Sequence, residues 1–140
     1  MATKSDFTDE EWKALQKGVT GAGMLVSVSD RDFTDSFGEA SALARSLTTQ
    51  HQQGASELMR EIAQLHGTGF GLVASSQEVE TDTLAALGTA LSAIDAKAPE
   101  EAENYRRLVL GVADAVAEAK GGISEEETAA LAKVKAALQA

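Results

Sequence analysis

Cysteine is absent from this chain of 140 residues, and its absence excludes every disulfide, zinc-thiolate site and thiol nucleophile. Histidine occurs only at His51 and His66, which leaves little material for a catalytic triad. Neither follows a glutamate by three residues, as an inward-facing ligand pair of a carboxylate-bridged di-iron bundle would. No Gly-x-Ser-x-Gly elbow occurs either. Aromatic residues make up 4% of the chain, so alanine and aliphatic side chains must fill the core; helices can then approach closely, each contact burying modest area. Long apolar runs are missing as well. The most apolar stretch, Val19 to Val28, is broken by Thr20, Gly21, Gly23 and Ser27 and falls short of the roughly 20 residues a spanning helix needs, so no membrane insertion is expected. Basic residues are outnumbered 12 to 22, giving a formal charge of −10. Such a surface repels phosphate polyanions, so nucleic acid is not an expected partner, and cations and proteins are favoured instead. The polar start, Met1 to Asp6, lacks the pattern of a secretory leader, and a cytoplasmic location is expected.

What the chain does contain is helix punctuation. In Lys120-Gly121-Gly122-Ile123-Ser124-Glu125-Glu126-Glu127 the glycines can end one helix, while Ser124 and Glu127 form a capping box for the next. Thr8 and Glu11 repeat the box near the start, with Phe7 placed to staple onto Trp12 one turn in. A looser version stands at Phe33-Thr34-Asp35-Ser36, directly after Ser29-Asp30-Arg31-Asp32.

Between these junctions the apolar residues recur with helical period. Trp12, Leu15, Val19, Ala22 and Val26 define a first helix from Asp9 to about Ser29. Phe37, Ala40, Leu43, Ala44 and Leu47 define a second, and Leu58, Met59, Ile62 and Leu65 a short third that ends at Gly67. Ser75 and Glu78 cap a fourth, with Val79, Thr83, Leu87, Leu91 and Ile94 carrying it to about Lys97. Pro99 suits the first turn of a fifth, followed by acids that match the helix dipole. Its stripe of Tyr105, Leu108, Val109, Val112, Ala113, Val116 and Ala117 is wide enough to suggest the central helix. Leu131, Val134 and Leu138 give a narrower stripe, which predicts a last helix on the outside. No stretch alternates like a strand. The expected fold is therefore all-α, a single-domain bundle of about six antiparallel helices over residues 1–140.

Few residues suggest chemistry. Gly67-Thr68-Gly69-Phe70-Gly71 lacks the preceding strand and the following Gly-Lys-Ser/Thr of a phosphate loop, and reads as a helix connection. Arg106-Arg107, among Glu100, Glu101 and Glu103, reads as ion pairing on a solvated helix face. Asp30-x-Asp32-x-Thr34-x-Ser36 opens like an EF-hand loop, but Asp35 stands where glycine is required and Ser41 where the bidentate glutamate belongs. Asp30, Asp32 and Asp35 still offer hard oxygen ligands in one short stretch, and Glu39 or Glu127 could complete a divalent-cation site. Caps and dipole pairing explain the same acids without a metal.

The junctions at Asp30 and Lys120 resemble those of the tellurite-resistance TerB-like family of helical domains, where a helix ending in Ala-Asp-Gly, then one residue, Ile or Val, and then Ser and acids appears in each half. Asp30 matches the family's aspartate, while Arg31 replaces the glycine and Phe37 the closing acid. In the second half Gly121, Ile123, Ser124 and Glu127 match, and Lys120 replaces the aspartate. Each half keeps what the other lacks, which is compatible with one composite acidic site or with a divergent member that binds no metal. The resemblance implies a TerB-like bundle of antiparallel helices with acidic clusters proposed to bind divalent cations, in bacterial stress response and without catalytic activity. The expected function is thus non-enzymatic, with no cofactor beyond a divalent cation and with a protein partner; self-association is left open. The alternative is an acidic helical adaptor with no metal role.

Overall fold

A computed structural model describes residues 4–29, 45, 48–49, 52, 56–63, 76–118 and 125–139, with the backbone alone at 27–29, 76, 126–127 and 139. Within it the first capping box forms as its spacing predicts. The Thr8 amide donates to Glu11 Oε1 at 2.9 Å and the Glu11 amide to Thr8 Oγ1 at 3.1 Å, opening helix α1 (Asp9–Ser29). Phe7 and Trp12 are both buried, with their rings tilted at 47° and centroids 6.3 Å apart. That contact fixes how the chain enters the helix.

Helix α2 (Glu57–Ile62) starts at an extended Ser56 whose Oγ accepts the Met59 amide at 3.2 Å. Helix α3 (Ser76–Lys97) ends at Ala98, and Pro99–Glu101 then form one 3₁₀ turn before helix α4 (Ala102–Glu118). The fifth sequence-expected helix therefore begins as a tighter turn, a frequent way for an α-helix to start. Helix α5 (Glu125–Gln139) buries Ala130, Leu131, Val134 and Leu138 and exposes most of its other described side chains, as its narrow stripe predicts. All described elements are helical, with five α-helices and no strand among the described residues. The expected second helix lies almost wholly outside the described residues, Arg45 within it being helical, and the Ser75 cap and the end of the third helix at Gly67 lie outside them.

Helix α4, expected to be the central helix, touches all four other described α-helices. Helix α1 touches all four other α-helices and makes the most extensive contacts, with α3 and α4 foremost. The physical cause is side-chain size. Residues 18 to 23 of α1 are all buried, so this segment is enclosed on every side. A Cβ added at Gly18 would lie 2.4 Å from the Tyr105 hydroxyl, and one at Gly21 would lie 2.2 Å from Thr83 Oγ1. Both glycines are therefore places where a neighbour has moved into the space of a missing side chain.

Side-chain pairs give the helix directions. Glu11 pairs with Lys97, Lys17 with Asp82 at 3.7 Å, and Gly21 faces Thr83, so α1 and α3 are antiparallel. The turn at Ala98 reverses the chain, and α4 runs in the sense of α1, with the Tyr105 hydroxyl donating to the Leu15 carbonyl at 2.8 Å. Helix α5 runs back: Arg106 Nε, near the start of α4, donates to the carbonyl of Leu138 at 2.7 Å, and Lys133 pairs with Glu80. Ser29, Glu118 and Glu125 accordingly lie toward one end of the bundle.

Candidate functional site

At the other end, where α1 begins, charges are matched and aromatic rings are covered. Lys97 pairs with Glu11 and lies 5.8 Å from the Phe7 ring centroid, while Lys4 lies 5.7 Å from that of Trp12. The Lys97 ammonium, and then the bonds to Thr8, hold the Glu11 carboxyl below the usual glutamate range. Nearby, Glu101 is buried and accepts from the Ser56 hydroxyl at 2.8 Å and from Asn104 Nδ2 at 3.2 Å. The same Ser56 oxygen caps α2, so one buried carboxylate joins the start of α2 to the start of α4. Sequence reasoning placed Glu101 among acids that complement the helix dipole. Its partner is 45 positions away, and no local signal could have named it.

Between the ends runs a polar seam. Tyr105 is fully buried, and desolvation raises its phenol well above the ordinary tyrosine value, so the hydroxyl stays protonated and donates to α1. Thr20 and Thr83 are also buried, and their hydroxyls find no hydrogen-bond partner among the described residues. These groups set helix spacing; no nucleophile and base converge there.

Among the described residues, two open clefts bear on function. One of about 610 Å³ runs along α3 beside Glu11, over Ala85, Gly88, Thr89, Ser92 and Ala96. The other, about 450 Å³, lies between α4 and α5, with Leu110 and Leu138 beside Glu103, Arg106, Arg107 and Lys135. Arg107 pairs with Glu103 at 3.4 Å one turn away, the helix-face pairing expected from their spacing.

Of the sequence-predicted metal ligands, Asp30, Asp32, Asp35 and Glu39 lie outside the described residues. Glu127 belongs to the first turn of α5, and its side chain is likewise outside them. By helix direction, Ser29, which precedes Asp30, and Glu125 lie toward the same end of the bundle. Among the described residues no three His, Asp or Glu side chains are grouped to hold a metal ion. None of the described helices is long and apolar enough to cross a membrane. Compared with family models, curated proteins and solved structures, the chain matches none.

Proposed function

We propose that this chain is a non-enzymatic helical domain of the TerB-like type, from a bacterial stress-response system, that acts through protein contacts and responds to a divalent cation at one end of its bundle. The supporting observation is helix direction. The pairs Glu11–Lys97, Tyr105–Leu15 and Arg106–Leu138 give the last turn of α1 and the first turn of α5 a common end. A composite site drawing Asp30 and Asp32 from one junction and Glu127 from the other requires that the two junctions share an end. Carboxylates suit calcium or magnesium, which take hard oxygen ligands. Asp30, Asp32 and Asp35 would supply most of the charge, with Glu39 or Glu127 completing the set.

A second reading, an acidic adaptor with no metal role, draws on the exposed small-residue face of α3 at Ala85, Gly88, Thr89, Ser92 and Ala96. Isothermal titration calorimetry with Ca²⁺, Mg²⁺, Mn²⁺ and Zn²⁺ separates the two. Saturable heat that disappears in Glu127→Gln or Asp30→Asn supports the composite cation site. No specific heat at millimolar metal leaves the adaptor.

A further inference from the structure

The cleft between α4 and α5 runs against the charge of the molecule. The chain as a whole carries −10, yet among the described residues this cleft is lined by Arg106, Arg107 and Lys135 against one acid, Glu103. Leu110 and Leu138 supply its apolar part; Leu138 is fully buried and Leu110 packs against the core at its edge. The cations differ in their commitments. Arg106 Nε is engaged by the Leu138 carbonyl, so this arginine braces α4 against the end of α5. Arg107 is 73% exposed and its pair with Glu103 is 65% exposed on the acid side, an arrangement that water and salt weaken. Lys135 is exposed and has no ion-pair partner among the described residues.

We propose that this cleft docks an acidic peptide segment of a partner protein, one that carries a leucine-sized apolar residue flanked by carboxylates. The inference rests on the reading of the chain as a protein-contact domain and names the chemistry of the contact. Charge complementarity selects the occupant: at separations within a Debye length, about 8 Å at physiological salt, local cations outweigh the distant acids. A compact phosphate fits less well. It calls for donors that converge on one point, whereas here one guanidinium nitrogen is already used, Glu103 stands beside the cleft, and the remaining cations line an apolar surface. An amphipathic acidic segment uses both features, its apolar side chain against the partly exposed Leu110 and its carboxylates on Arg107 and Lys135.

The test is fluorescence anisotropy with a labelled peptide of repeating Glu-Glu-Leu, using the full chain. Saturable binding is expected, weakened about tenfold when the double variant Arg107→Gln/Lys135→Gln removes two exposed charges. Circular dichroism checks that this variant keeps its fold. A Gln-Gln-Leu peptide and an all-glutamate peptide should each bind more weakly than the probe. The proposal is overturned if the probe does not bind, if the double variant binds it equally well, or if inorganic phosphate displaces it at low millimolar concentration. Concentration-dependent dimerisation lost in the same variant would also overturn it, making a second copy of the chain the occupant. Failure here with the cation heat intact removes the cleft contact and leaves the cation reading standing.

Discussion

At the end of the bundle where α1 begins, Phe7 covers Trp12, Glu11 is held by Lys97 and Thr8, and Glu101 ties Ser56 to the start of α4. At the end where α1 stops, Ser29, Glu118 and Glu125 are followed or preceded in sequence by Asp30, Asp32 and the glycine junction at Gly121-Gly122. The first end uses its charges on one another, through hydrogen bonds between residues far apart in the chain. The second is adjoined in sequence by Asp30 and Asp32, with Arg31 between them, and by Lys120 at the other junction. Stability should therefore depend on substitutions at the first end and in the seam behind it, and cation response on the second. Variants that alter one without the other sharpen this contrast.

The largest effect is expected from Tyr105→Ala, which empties a fully buried site and removes the bond to Leu15. A loss of about 3–5 kcal/mol in denaturant unfolding is expected. The conservative Tyr105→Phe should cost about 1 kcal/mol. Next comes Gly21→Ala, whose new methyl meets Thr83 at 2.2 Å and should cost about 1–3 kcal/mol. Thr83→Ala in the same chain should recover part of that loss, since the two sites touch. Additive losses would mean that the close approach is not what keeps Gly21 small.

How much of this could be read from the sequence depended on side-chain size and on separation along the chain. Thr8, Glu11, Phe7 and Trp12 lie within one turn of each other, and their spacing gave both the start of α1 and its cap. The period of apolar residues carried α1 to Ser29, α3 to Lys97 and the buried face of α5. The reach of α1 was not legible because glycine and threonine add little to an apolar stripe. Gly18, Thr20, Gly21 and Gly23 are nevertheless what allow α1 to be enclosed. The wide stripe of α4 reports large side chains, and the crowded middle of α1 reports their absence. The candidate cation ligands were legible as acids near helix junctions, whereas the basic cleft requires the pairing of α4 with α5, which Arg106 and Leu138 establish across 32 positions.

Smaller effects test the closed end. Thr8→Ala should cost about 1 kcal/mol by removing the cap. Because the folded-state pKa of Glu11 is lowered, its contribution is present above the usual glutamate range and lost as pH falls through the lowered value. Unfolding midpoints should thus fall on acidification, and Glu11→Gln should flatten that part of the profile. An unchanged slope would remove Glu11 from the acid response. Thr83→Val, which keeps the shape and deletes a buried hydroxyl without a partner among the described residues, should be neutral or stabilise by up to about 1 kcal/mol.

The central claim, a cation-responsive end, is tested most directly by the thermal midpoint of the full chain against that of Asp30→Asn/Asp32→Asn, in CaCl₂ or MgCl₂ and in NaCl of matched ionic strength. A cation bound only by the folded chain stabilises it by mass action, by about 2.7 kcal/mol at roughly a hundredfold its dissociation constant. The unaltered chain should show a concentration-dependent rise that NaCl does not reproduce. The variant should show no such rise and should be slightly more stable without metal, because two repelling carboxylates have been neutralised. Equal responses of both proteins to the divalent salts and to NaCl would contradict the account and leave these acids as helix caps.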